Sequence, residues 1–259
     1  MFSDQADIRA APPGAIEQMQ MPALAVGHLH EIHAHAGALA AATAFALTAI
    51  APNQRKPILL ARVPHRAALR MQPYGEGLAG LGIDPARLLI VEARDNLGML
   101  RAGLDAARCP GLAAVVMETW GTLREYDLTA SRRLVLGAER SRVPVIMLRG
   151  EGIANLRAEP RASAAHSRWR IACAPSIPLA ARAPGPPAIE VELLRQRGGR
   201  AGLRWRLTWD DEHGCFREDR PGSAMPGDTE RRHAALSGAV VPLARLRAGP
   251  APDHAIRAA

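Results

Sequence analysis

Four histidines fall within eight residues, His28, His30, His33 and His35, with Glu31 among them. Imidazole and carboxylate are ligands that zinc takes, so this cluster is where a metal would first be sought. The metalloprotease pattern H-E-x-x-H needs histidines four apart on a helix. His30-Glu31-Ile32-His33 sets them three apart and runs off a strand into a loop. His28 and His30 share a strand face, with His33 and His35 on the loop. The expectation is no metal centre, these four being the ligand candidates that remain.

The next chemistry to seek is phosphate binding. The motif G-x-x-x-x-G-K-[ST] puts a lysine and backbone N–H groups at a helix N-terminus directly after a strand. The place for it is HAHAGALAAAT, where His33, Ala34, His35, Ala36, Gly37 and Ala38 supply neither the first glycine nor the lysine. The single lysine, Lys56, lies beyond the following helix and before the next strand, on the opposite rim of a parallel sheet. ATP hydrolysis by this route is not expected, and no cofactor is assigned. Glu118 ends the apolar strand LAAVVME, where nucleotide-binding α/β proteins often place a Mg²⁺-coordinating carboxylate, and without a phosphate loop it reads as vestigial. Ser131 and Ser163 lie outside any G-x-S-x-G elbow, so a hydrolase triad has no support.

Arginine dominates the basic residues. Arg149, Arg157, Arg161 and Arg168 gather in and around the loop after a strand, and Arg195 and Arg197 alternate on a hairpin, which puts those two on one sheet face. Such a set suits the phosphates of a nucleic acid or an acidic partner, or is simply a solvated face. The formal net charge of +8 and pI near 10.7 favour the same partners. Aromatics at 3% leave few platforms for stacking bases, which argues against an RRM or an OB-fold. Cys109, Cys173 and Cys215 are odd in number and far apart, so neither a disulfide framework nor a zinc ribbon is expected, and a reducing, cytoplasmic compartment fits. The longest apolar run, Ala36 to Pro52, is too short and Ala-rich to span a bilayer and begins too late for a signal peptide, so no membrane association is expected.

These residues must be positioned by a scaffold, and the hydrophobic pattern indicates one. Residues 1–20 read as a flexible arm, with Pro12, Pro13 and Gly14. From there strands alternate with helices: a strand at Gly27 to Ile32, a helix at Ala36 to Ile50, a strand at Pro57 to Arg62, and a helical piece at Tyr74 to Leu81 that Gly82 ends. A strand at Arg87 to Ala93 precedes a helix capped by Asp95, with Leu97, Leu100 and Leu104 on one face. A strand at Leu112 to Glu118 precedes a helix from Asp127 to about Ser141, with Ala130, Leu134 and Ala138 facing the core, and then Val143 to Arg149 forms a buried strand. Alternation of this kind implies an α/β fold with a mostly parallel, covered sheet and helices on both faces. A loop from Gly150 to Ser167 and a strand at Arg168 to Cys173 follow, and then IEVELLRQR and LRWRLTW, joined by GGRAG, form an antiparallel hairpin at the C-terminal edge. The α/β domain covers residues 21–211, and 212–259 read as a mostly disordered tail.

Several strings resemble a known family. GHLHEI resembles the strand entering the phosphate loop of RecA recombinases, YGEGLAGLGIDPARLLIVEA their helix, loop and following strand, and LAAVVMETW their Walker B strand, with Glu118 where an aspartate is usual. LGIDPARLLIVEA, DLTASRRLVLGAERSRVPVIMLR, SAAHSRWRI and VELLRQRGGRAG are similar to the ImuA family, RecA-like accessory proteins of bacterial inducible-mutagenesis cassettes. The signature is Asp127, Thr129, Ser131, Arg132 and Arg133, and the likeness covers about Gly27 to Trp209. The resemblance implies a RecA-like core and an SOS-induced accessory role in translesion synthesis, beside a catalytically dead Y-family polymerase homologue and an error-prone C-family DNA polymerase. RecA and DNA are further candidate partners. It also implies a DNA-contacting position for the loop from Gly150 to Ser167 and an interface role for Arg195 and Arg197. A cell-division inhibitor and a residual nucleotide-binding or ATPase switch are the alternative functions.

Overall fold

The computed structural model describes residues 24–50, 55–64, 73–151 and 162–218, all within one compact unit, Met1–Asp219. The N-terminal arm, Arg157, Arg161 and nearly all of the tail lie outside the described residues. Among the described residues, nine strands form one sheet: β1 (Leu29–His35), β2 (Ile58–Arg62), β3 (Leu88–Glu92), β4 (Ala114–Trp120), β5 (Val145–Glu151), β6 (Ser167–Ala174), β7 (Ala188–Gln196), β8 (Leu203–Asp210) and β9 (Cys215–Glu218). Their spatial order is β3-β2-β4-β5-β1-β6-β7-β8-β9. Pairings from β3 through β6 are parallel, and those from β6 through β9 antiparallel.

Among the described residues, four α-helices accompany the sheet: α1 (Leu39–Ala49), α2 (Gly75–Gly80), α3 (Asn96–Ala107) and α4 (Leu128–Ser141). On one face α1 packs its Leu39, Ala42, Phe45 and Ala46 with Ile32, Leu60, Val116 and Leu148 of the parallel strands and Trp169, Val191 and Trp205 of the antiparallel ones. On the other, α3 and α4 cover Leu29, Val115, Met117, Val145 and Met147. The scarce aromatics are concentrated under α1, with Phe45 and Trp169 rings 6.1 Å apart and Trp169 and Trp205 rings 6.2 Å apart. From β6 to β8, the face opposite α1 carries an ion ladder, Arg170 to Glu192 at 2.7 Å and Glu192 to Arg204 at 2.9 Å. That alternation of apolar and charged positions is what an antiparallel sheet covered on one face requires.

Several elements differ from the sequence expectation. The first strand runs to His35 instead of ending at Ile32, and a 3₁₀ turn, Ala36–Ala38, takes the start of the expected helix. The strand expected at Arg87 to Ala93 is shorter, β3, and forms the sheet edge, with Leu89 and Ile90 47% and 45% exposed. Helix α3 buries Met99, Leu100, Gly103, Ala106 and Ala107, with Leu97 exposed, so the expected Leu97, Leu100 and Leu104 face is rotated. The cause is Gly103, where a Cβ would sit 2.1 Å from Met117 Sδ, so the missing side chain lets the helix seat against β4. In α4, Ser131 and Gly137 join Leu134 and Ala138 in the buried face, and Ala130 is half-buried. The sheet also continues past residue 211 into β9, where Phe216 packs on Trp209 at 5.1 Å.

Candidate functional site

Ligands of open α/β sheets gather at the C-terminal ends of the parallel strands. There β1 passes into α1 through three residues, Ala36–Ala38. The Gly37 N–H donates to His35 Nδ1 at 2.9 Å, so the histidine ring closes the turn onto its own strand. Ala38, at the N-cap of α1, offers no side-chain acceptor. A phosphate cradle of the expected kind needs four residues between its glycines and a lysine after them. This turn has neither the length nor the ammonium, and Lys56 donates to the Pro110 carbonyl at 2.9 Å at the other end of the sheet.

Glu118 sits on β4, opposite Arg62 of β2, which is itself opposite Glu92 of β3. Arg62 is buried, its Nε 3.8 Å from Glu92 Oε1. Burial pushes the Glu118 carboxyl up, and the Arg62 guanidinium partly offsets this. The cation beside this carboxylate is therefore a side chain of the protein. Trp120, two residues on, packs against the α1 core cluster and over Gly150, where a Cβ would come within 2.2 Å of its ring. The Gly121 N–H donates to the Gly150 carbonyl at 2.8 Å and fixes the strand ends beneath that ring.

The pleat of β1 divides the histidines. His30 faces α1 in a fully matched chain: Trp169 Nε1 donates to Ser167 Oγ at 2.6 Å, the Ser167 hydroxyl donates to His30 Nδ1 at 2.7 Å, and His30 Nε2 donates to the Ala25 carbonyl at 2.9 Å. Burial, with His166 and His28 adding like charge and the Ala25 bond opposing, lowers His30 to about 4. His28 stacks on His166 with centroids 4.4 Å apart. His33 lies on the opposite face, its Nε2 3.8 Å from Glu31 Oε2, and so on β1 instead of the expected loop. Among the described residues, the one grouping of three potential ligands is Asp210, Glu212 and His213, away from β1, and Arg217 Nε already holds Asp210 at 2.8 Å.

A buried network surrounds Glu31. Tyr126 donates to Glu31 Oε1 at 2.7 Å, Arg168 Nε to Oε2 at 2.5 Å, and Arg168 Nη2 to Ser163 Oγ at 3.1 Å. Burial pushes the Glu31 carboxyl up, but His33, Arg168, Ser163 and Tyr126 outweigh it and hold it at about 2. Arg168 is thus an internal counter-ion and is not on a nucleic-acid surface, a correction to the expected basic cluster. Arg149 is half-buried on β5, and Arg195, although exposed, donates to the Ser163 carbonyl at 3.4 Å. Of the expected contact residues that the structure describes, Arg195 and Arg197 are exposed.

The signature residues divide by role. Asp127 caps α4, its Oδ1 accepting from Ala130 N at 2.7 Å. Ser131 Oγ accepts from Ala164 N at 3.0 Å, tying α4 to the stretch that ends the β5–β6 connection. Thr129, Arg132 and Arg133 are exposed, and Thr129 and Arg133 border a groove floored by Leu97, Leu100, Leu104 and Leu134. Sequence reasoning missed Arg62, Tyr126, Ser167 and the pairing of Arg168 with Glu31. A carboxylate within an otherwise core-facing strand was the available signal for that last pair, since a buried charge needs a partner.

Comparison with known proteins gives two kinds of likeness. Protein ImuA of Caulobacter vibrioides, in strains NA1000 / CB15N and ATCC 19089 / CIP 103742 / CB 15, is 43% identical over 140 residues, covering 52% of this chain and 56% of the relative. The chain therefore matches about half the length of these relatives. The RadB recombinase crystal structure superposes with a TM-score of 0.51 at 15% identity, over 73% of this chain and 90% of that one, a likeness of fold. No protein-family model matches.

Proposed function

We propose that this chain, which has a RecA-like core and is similar to Protein ImuA over about half its length, belongs to the ImuA family and acts as a non-hydrolysing adaptor in induced, error-prone translesion DNA synthesis. Its partners in this reading are a Y-family polymerase homologue and an error-prone C-family DNA polymerase, and its compartment is the cytoplasm. The observation that carries the non-catalytic half is the passage from β1 to α1 in three residues, without a lysine. Arg62 beside Glu118 and Trp120 over Gly150 support it, because a buried guanidinium and an indole occupy the surroundings in which a metal–nucleotide complex would need carboxylate and space. Among the described residues, no helix is long and apolar enough to cross a membrane.

Two measurements test this reading. The full chain should retain the polymerase homologue in a pull-down from purified components, and absence of association would overturn the adaptor role. Equilibrium binding of a fluorescent ATP analogue with Mg²⁺ should give no saturable signal. Saturable binding lost in Glu118→Ala would instead make the protein a nucleotide switch.

A further inference from the structure

The N-terminal ends of the parallel strands form the rim opposite the crevice just described, and their flanking residues are basic. Arg87 directly precedes β3, and Arg55 and Lys56 precede β2. Arg108 and Arg142 follow α3 and α4 and lead into β4 and β5. Across β1 and β6 the rim continues as the His28–His166 stack, and it ends at the β7–β8 turn with Arg197 and Arg200. Following the strand order, these groups trace a line from β3 to β8. At about 4.8 Å per strand the line is roughly 34 Å long.

The charges are held in place. Arg87 Nε and Nη2 donate to the Lys56 carbonyl at 3.0 and 2.7 Å, and Lys56 Nζ donates to the Pro110 carbonyl. These bonds are to neutral oxygens and leave the charges uncompensated. Arg55, Arg197 and Arg200 are exposed. The carboxylates near this rim are partly engaged: Asp84 caps the turn before Arg87, and Asp105 pairs with Arg108 at 3.6 Å. Burial, followed by the neighbouring His28 and Arg197, lowers His166. The C-terminal rim, in contrast, carries Glu92, Asp95, Glu118, Glu125 and Asp127 among its arginines.

We propose that this N-terminal rim is a surface for the phosphodiester backbone of DNA, reached by Arg55 at one end and Arg197 and Arg200 at the other. The linear arrangement suits a rod of regularly spaced phosphates better than the compact patch of an acidic protein. Arginine's fork is the donor geometry that phosphate oxygens accept. The rim offers charge and few stacking surfaces, so it holds the backbone without reading sequence. This goes beyond the adaptor reading and does not depend on it, since polymerase association and DNA binding are measured separately.

The test is fluorescence anisotropy of the full chain with a labelled 30-nucleotide single strand and a 30-base-pair duplex over a salt series. Wild type should bind, with affinity falling steeply as salt rises. Each lost duplex phosphate contact lowers the slope by about 0.9, so Arg55→Ala/Arg197→Ala/Arg200→Ala should lower it by roughly 3 and weaken binding at least about tenfold at low salt. The control Arg94→Ala/Arg124→Ala/Arg133→Ala, with the same charge change toward the other end, should stay within about twofold, both variants first being shown to melt as wild type does. Comparison of the two DNA forms assigns the preferred one. Absence of binding at low salt, equal losses in the two triple variants, or poly-glutamate displacing DNA as well as unlabelled DNA does would each overturn the proposal.

Discussion

Protonation of His30 should unfold this protein more readily than its ordinary surface histidines can. In the neutral ring Nδ1 accepts from Ser167 while Nε2 donates to Ala25, and the Ser167 oxygen also accepts from Trp169. A proton on Nδ1 turns that acceptor into a donor, and the Ser167 hydroxyl hydrogen loses its buried partner. The folded-state value is about 4 against an ordinary 6.5, so the unfolded chain takes up a proton at a pH where the folded one does not. Stability from this group is therefore fully present above pH 6.5 and lost as pH falls toward 4. At about 1.36 kcal/mol per unit the loss amounts to about 3 kcal/mol, of which about 2 should be gone by pH 5. Urea unfolding of wild type and His30→Gln from pH 7.5 to 4 isolates the effect. The variant should start less stable and show a flatter dependence, the two curves converging by about 3 kcal/mol. Parallel curves, or a wild-type histidine NMR titration lacking a midpoint near 4, would refute the reasoning.

Three further outcomes follow from particular contacts. Arg168→Ala strands the Glu31 carboxylate in the core and should cost about 3–5 kcal/mol in chemical denaturation, while Glu31→Gln/Arg168→Met recovers much of it. Gly150→Ala drives a methyl into the Trp120 ring and should lower the melting temperature by several degrees, about 1–3 kcal/mol of overpacking, with the loss relieved in a Trp120→Ala background. Asp127→Ala removes the α4 cap and should cost about 1 kcal/mol, whereas Ser131→Ala, which frees the Ala164 N–H, should also raise amide exchange at Ala164.

The parts of the fold that local chemistry specifies were legible in the chain. Asp95 and Asp127 sit where a carboxylate meets the first free N–H groups of α3 and α4, and Gly198 and Gly202 take positive φ in the β7–β8 turn, as GGRAG indicates. The alternation of apolar runs and helices gave the parallel order in class, but not the place of each strand. Periodicity marks LLIV as a strand and says nothing about which strand has one neighbour instead of two. The face of α3 was misjudged because Gly103 and Met117 decide it together across 14 positions of sequence. For the site, the missing phosphate lysine was visible by inspection. The burial of Arg168 was not, since it needs Glu31, 137 residues away, to be opposite it on the neighbouring strand.

The tryptophans make the two parts of the sheet separately observable. Trp169, Trp205 and Trp209 all belong to strands β6 and β8, while the parallel strands on the other side of β1 contain Trp120 alone, at the end of β4. Intrinsic emission from the wild-type chain is thus weighted to the antiparallel end. A Trp120→Phe variant would report on that end by itself. Unfolding that begins at the β3 edge would pass unseen by fluorescence while far-ultraviolet dichroism recorded it, and any gap between the two signals would measure how independently the ends of this single sheet come apart.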